Sequence, residues 1–97
     1  MMLPKSKPPR SEKYRRWIAS QPCLICASPE TQAAHTERGG RGMKGSDYSC
    51  VPLCLRHHDE LDGRRKVAGR YGREAFESHY GIDLAAHVER LNEEYGI

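Results

Sequence analysis

Apolar residues come in short bursts along this chain, separated by charge, proline and glycine. Tyr14, Trp17 and Ile18 recur at helical spacing behind Ser11, a good capping residue, with Glu12 in the first turn. A helix is predicted there, ended by Gln21-Pro22, because a residue before proline is pushed out of helical geometry. Residues 31–35, closing on Ala33-Ala34-His35, read as a short strand. Residues 48–53 read as a second strand, antiparallel to the first, with Pro52 at an edge or strand end. A charged helix over residues 55–66 is expected next. Residues 73–80 set Phe76 and Tyr80 four apart and close on Gly81. Asp83 then caps a last helix over 84–95, with Leu84, Val88, Leu91 and Tyr95 on one stripe. The pattern predicts one α+β domain over residues 11–97, with a core about 23–66, flanking N- and C-terminal helices, and Trp17 as its aromatic anchor.

Composition changes that picture in one respect. With 97 residues, 37% of them hydrophobic, one Trp and one Phe, the chain can bury only a thin core, so a staple is expected. Four cysteines supply either two disulfides or one metal site. Residues 1–10 carry three prolines and three basic residues, read as a flexible basic arm without the apolar stretch of a signal peptide. No apolar run is long enough to span a membrane. A reducing, cytoplasmic setting is therefore expected, and there zinc is favoured over disulfides.

Charge is distributed unevenly. Residues 1–73 hold 15 basic and 7 acidic side chains, and residues 74–97 hold 1 basic and 6 acidic. The basic part contains every candidate ligand, and a positive face around a metal suits a polyanion such as nucleic acid. A solvated charged surface is the plainer alternative.

The ligands fall in two close pairs. Cys23 and Cys26 form C-x2-C, Cys54 and His57 form C-x2-H, and 27 residues separate the pairs. Such a set matches a tetrahedral structural zinc. Cys50 is left over and reads as a buried strand residue; exchanging it for Cys54 would break the C-x2-H unit. On a helix, His58 and Asp62 would lie one turn apart on one face, able to grip a second metal or simply to form a surface pair. Between the strands, Gly39, Gly40, Gly42 and Gly45 alternate with Arg38, Arg41 and Lys44. Glycine permits close backbone approach to a phosphate and the basic residues supply charge, although a loop without a binding role could share this composition. His79 and His87 lie on the acidic helices and read as surface or core-edge residues.

A strand ending in His35, a Gly-rich loop, a second strand and a helix bearing His58 and Asp62 form a ββα-metal arrangement. With Cys23-x2-Cys26, Ala34-His35 and Leu53-Cys54-x2-His57-His58-x3-Asp62, the chain resembles the HNH (His-Me finger) endonucleases, especially small zinc-knuckled forms and short phage and prophage recombination-associated nucleases. The resemblance covers roughly residues 23–65. It implies a metal-dependent DNA endonuclease in a bacterial or phage-infected cell that leaves 3′-hydroxyl and 5′-phosphate ends. His35 would be the general base, with His57 on the structural zinc and His58 with Asp62 on a catalytic divalent ion, Mg²⁺, Mn²⁺ or Zn²⁺. Arg38, Arg41, Lys44, Arg64, Arg65 and Lys66 would hold the DNA backbone.

Two departures stand out. Ala34 occupies a position where many members carry a metal ligand, and Asp62 stands where His is common. Asp47 is the candidate to support His35 or to supply the missing ligand, with Ser49 near the position of the family's middle Asn; Asp47 as a turn cap is the plainer alternative. The rival function is a non-catalytic zinc-dependent nucleic-acid-binding module, with a recombination protein as partner through the acidic C-terminal helices.

Overall fold

The computed structural model describes residues 10–36 and 46–96, which form an α+β fold of four helices and a two-stranded antiparallel sheet. Helix α1 spans Glu12–Ala19, and the Ser11 hydroxyl accepts from the Tyr14 amide, so the expected cap is in place. Strand β1 covers Gln32–His35 and β2 covers Cys50–Leu53. Their register pairs Gln32 with Leu53, Ala33 with Pro52, Ala34 with Val51 and His35 with Cys50.

The second strand is shorter than the expected span of residues 48–53. Asp47–Ser49 is instead a 3-10 turn, because the Ser46 hydroxyl caps the Tyr48 amide and the Ser49 hydroxyl donates to the Ser46 carbonyl. Helix α2, Leu55–Asp62, also stops before residue 66. Gly63 takes a left-handed φ of 83° there, and its amide turns back on the Asp59 and Glu60 carbonyls. Helices α3, Arg73–Tyr80, and α4, Leu84–Tyr95, match expectation, with Gly81 left-handed after α3 and Asp83 capping α4.

Successive side chains of a strand point to opposite faces, and this alternation sorts the core. Helix α1 packs on both strands, α4 reaches β2, and α2 lies against the sheet and against α3. Tyr14, Ile18, Val51, Leu53, Phe76, Leu84 and Leu91 form the interior. Tyr14 and Phe76, not Trp17, are the fully buried aromatic anchors. Trp17 is only half-buried, beside Tyr14 and Tyr95. The Tyr14 hydroxyl donates to Asn92 Oδ1 at 2.8 Å, tying α1 to α4, and burial pushes its pKa up to about 12. No helix among the described residues is long and apolar enough to cross a membrane.

Candidate metal centre and histidine pair

The knuckle that presents Cys23 and Cys26 is held by backbone bonds from the Cys23 amide to the Ser28 carbonyl and from the Ala27 amide to the Cys23 carbonyl. Ala27 sits at φ 62°, a conformation that L side chains rarely accept, so the turn is tight enough to impose strain. The Leu24 amide bonds to the Pro52 carbonyl, bringing the knuckle beside the end of β2. Two residues on, Cys54 opens α2, and His57 follows on the helix's first turn.

The ligand atoms of Cys23, Cys26, Cys54 and His57 all lie within 4.8 Å of one another. Cys26 Sγ is 3.8 Å from Cys54 Sγ, and His57 Nδ1 is 3.7 Å from Cys23 Sγ and 3.1 Å from Cys54 Sγ. Tetrahedral zinc with Zn–S near 2.3 Å places its sulfurs about 3.8 Å apart, so the group can hold such an ion. None of the four cysteines is in a disulfide, and the cluster takes in Cys54 rather than Cys50, which is buried in β2.

The electrostatics suit a cation. Burial opposes a charged Cys23, but the Cys26, Cys54 and Ile25 amides outweigh it and lower the thiol's pKa. Burial chiefly lowers that of His57, with Glu60 opposing and Arg56 assisting, which favours the neutral imidazole a metal requires. The His57 ring meets Tyr80 edge-on, and the Tyr80 hydroxyl donates to buried Glu60 Oε1 at 2.6 Å, so α3 braces the ligand-bearing turn.

A second cluster gathers around Asp47, whose side chain is 3% exposed. Its Oδ1 accepts from His35 Nε2 at 3.0 Å, and its Oδ2 accepts from the Ser11 amide at 2.7 Å and from Arg15 Nε at 3.2 Å. Burial alone would raise the Asp47 carboxyl, but His35, the Ser11 amide and Arg15 outweigh it and hold it below the ordinary range. An ionised carboxylate only accepts, so His35 donates from Nε2, and in the neutral ring that leaves the lone pair on Nδ1. Both Asp47 oxygens accept hydrogen bonds here, and Oδ1 faces His35, as expected of a supporting partner of that histidine. Ala34 itself is fully buried, and Ser49 is held in the 3-10 turn.

A third group lies on α2. His58 Nε2 is 3.2 Å from Asp62 Oδ2, and His58 Nδ1 is 2.6 Å from Gln32 Oε1. The His58–Asp62 separation is a direct i,i+4 contact on the helix, and Asp62 Oδ2 also lies 3.6 Å from Arg64 Nη2. Gln32 accepts the Nδ1 proton, which orients the ring with Nε2 toward Asp62.

Gln32 and His35 are three apart on β1, so their side chains leave opposite faces, Gln32 toward α2 and His35 toward α1. The ends of the two elements are nevertheless joined. A side chain added at Gly63, just after Asp62, would come within 4.0 Å of the Gly72 amide nitrogen. The next residue, Arg73, donates from Nη1 to the Thr36 carbonyl, one residue beyond His35, at 2.8 Å.

Over residues 1–97 the chain matches the family described as "Protein of unknown function (DUF968)". It belongs to that family. It is also similar to the uncharacterized protein YdfU of Escherichia coli (strain K12), with 38% identity over 87 residues, covering 87% of this chain and 23% of YdfU. The chain thus spans less than a quarter of the length of that relative. No solved structure matches it.

For this member of the DUF968 family, the structure also redistributes the basic residues read from the sequence. Arg38, Arg41 and Lys44 lie outside the described residues. Arg64 is tied to Asp59 at 3.3 Å and to Asp62 at 3.6 Å, so its guanidinium faces carboxylates as well as solvent. Arg65 and Lys66 are exposed. His79 is exposed, and His87 is half-buried beside Arg90 in a cavity that Cys23 and Leu24 also line; neither histidine is part of the four-ligand cluster. Gln32 and Arg15 were missed in the sequence. Gln32 had only its alternation with Ala34 to mark it, and Arg15 looked like one charge among many on α1.

Proposed function

We propose that this chain is a metal-dependent DNA endonuclease of the HNH (His-Me finger) type, hydrolysing phosphodiester bonds. One observation carries the reading: each of the two candidate histidines is fixed by a side-chain acceptor of its own, His35 by Asp47 and His58 by Gln32. A histidine held by an acceptor on one nitrogen presents the other in a defined state, which is what proton transfer and metal ligation require.

In this reading, His35 Nδ1 takes the proton of the attacking water, and Asp47 stabilises the imidazolium that results. Arg15 and the Ser11 amide keep Asp47 ionised and in place. His58 Nε2 and Asp62 Oδ2 hold a divalent ion, Mg²⁺, Mn²⁺ or Zn²⁺; when bound, it supplies charge stabilisation to the phosphate and the leaving 3′ oxygen. Zinc on Cys23, Cys26, Cys54 and His57 fixes α2 against the hairpin. The basic residues of the first 73 positions supply attraction for the phosphate backbone.

The test is a plasmid-nicking assay with Mg²⁺ or Mn²⁺ on wild type and His35→Ala. The variant is expected to lose cleavage while keeping its fold and its DNA binding; equal activity in the two proteins refutes His35 as the base. A second reading, a non-catalytic zinc-stapled nucleic-acid-binding module, is favoured by the strand alternation that turns His35 toward α1 and Gln32 toward α2. It predicts DNA binding without cleavage under every metal tried. Recruitment of a recombination protein by the acidic α4 surface fits either reading.

A further inference from the structure

Between α2 and α3 the chain makes a small basic hairpin to which the catalytic reading gives only general attraction for phosphate. Val67 and Arg70 exchange both backbone hydrogen bonds, at 2.7 and 3.0 Å, around Ala68 and Gly69, both at positive φ (52° and 79°). Two left-handed residues in a row make a tight turn matched to a hairpin, at a steric cost for Ala68 that glycine would not incur. Val67 is buried and anchors the turn, so its tip is held rather than loose. Around it Arg65, Lys66 and Arg70 are exposed.

Directly after the turn comes Tyr71, 58% exposed, one of the few large apolar side chains left at the surface. Lys66 Nζ lies 5.8 Å from its ring centroid, within cation–π range. Gly72, the next residue, returns the chain to Gly63, immediately after Asp62. The ring is therefore rooted beside the C-terminal end of α2, where the His58–Asp62 pair sits.

An exposed aromatic ring amid lysine and arginine is the chemistry that holds single-stranded nucleic acid: cations track the phosphates and the ring stacks on a base. Duplex DNA offers the phosphates but keeps its bases stacked on each other. We propose that Tyr71 is a stacking platform for an unpaired base of single-stranded DNA, with Arg65, Lys66 and Arg70 on the flanking phosphates. The substrate class would then be DNA with a single-stranded segment at or next to the cut, a refinement that rests on the nuclease reading for its catalytic part only.

The test is fluorescence anisotropy of the zinc-loaded protein, without added Mg²⁺ or Mn²⁺, on a labelled deoxythymidine oligomer and on a labelled duplex. Tyr71→Ala is expected to bind the single strand about tenfold more weakly than wild type and the duplex equally well. Tyr71→Phe, which keeps the ring, should bind both like wild type. Unchanged single-strand affinity in Tyr71→Ala, or an equal loss on both DNAs, overturns the proposal. The nicking assay with His35→Ala reports separately. Cleavage by wild type with no single-strand defect in Tyr71→Ala leaves the nuclease and sinks the platform. A strand-selective defect in a protein that never cleaves leaves the platform and sinks the nuclease.

Discussion

Asp47→Asn keeps the shape of a buried side chain and removes its charge, which isolates what the carboxylate does for α1 and for His35. In the native protein two oxygens serve three donors: His35 Nε2, the Ser11 amide and Arg15 Nε. Asparagine has one acceptor oxygen. If that oxygen stays with Ser11 and Arg15, its amide group faces His35 Nε2, and the imidazole must move its proton to Nδ1 or lose the contact. Losing a charge-assisted hydrogen bond at a buried acceptor costs about 1.5–3 kcal/mol. The Arg15 ion pair adds little, because that side chain is 43% exposed and its charge is screened by solvent. The expected destabilisation is thus about 2–3 kcal/mol, read as a lower urea midpoint at pH 7. At that pH the effect is at full size. A carboxyl lowered in the folded state stabilises fully above its unfolded value, near 3.9, and loses that contribution only as pH falls through the folded value. Nitrogen-15 NMR of the His35 ring gives a second readout, with the Nε2–H form expected in wild type and displaced in the variant. A stability change under about 0.5 kcal/mol together with an unchanged His35 tautomer would refute the placement of Asp47 as its partner.

Metal analysis of the purified chain should find about one tightly held zinc, and Cys54→Ser or chelation should unfold it, followed by circular dichroism; a folded, zinc-free chain contradicts the ligand set. His58→Ala and Asp62→Asn should weaken Mn²⁺ binding, measured by calorimetry on the zinc-loaded protein, without lowering zinc content. Gln32→Leu should reduce that Mn²⁺ affinity about tenfold by releasing the His58 ring, with Gln32→Asn restoring part of it; no change in Gln32→Leu removes Gln32 from the site.

Much of this fold was legible because its signals are local. Ser11, Asp83 and Gly81 mark helix ends through bonds within a few residues, and the last stripe put Leu84 and Leu91 in the core as periodicity requires. The cysteine and histidine pairs declared themselves by spacing, since each pair is presented by one turn of chain. Local rules overshot where a competing local bond intervened. Gly63 ended α2 at Asp62 instead of residue 66, and Ser46 folded residues 47–49 into a turn before β2 could begin. Trp17, the largest side chain, was read as the anchor, yet the helix rotation set by Tyr14 and Ile18 leaves it half outside.

The order of residues along the chain was therefore enough for the inventory: four helices and two short strands with modest errors at their ends, four soft ligands in two pairs, and a histidine at the close of a strand. Which residue partners which was settled by the folded arrangement. It brought the two ligand pairs to within 4.8 Å, gave Asp47 to His35 from 12 residues away, and gave Gln32 to His58 from 26 residues away. Such assignments depend on the strand register and on which helix covers which face of the hairpin, and those are fixed by burial of the whole core, which no window of neighbouring residues encodes.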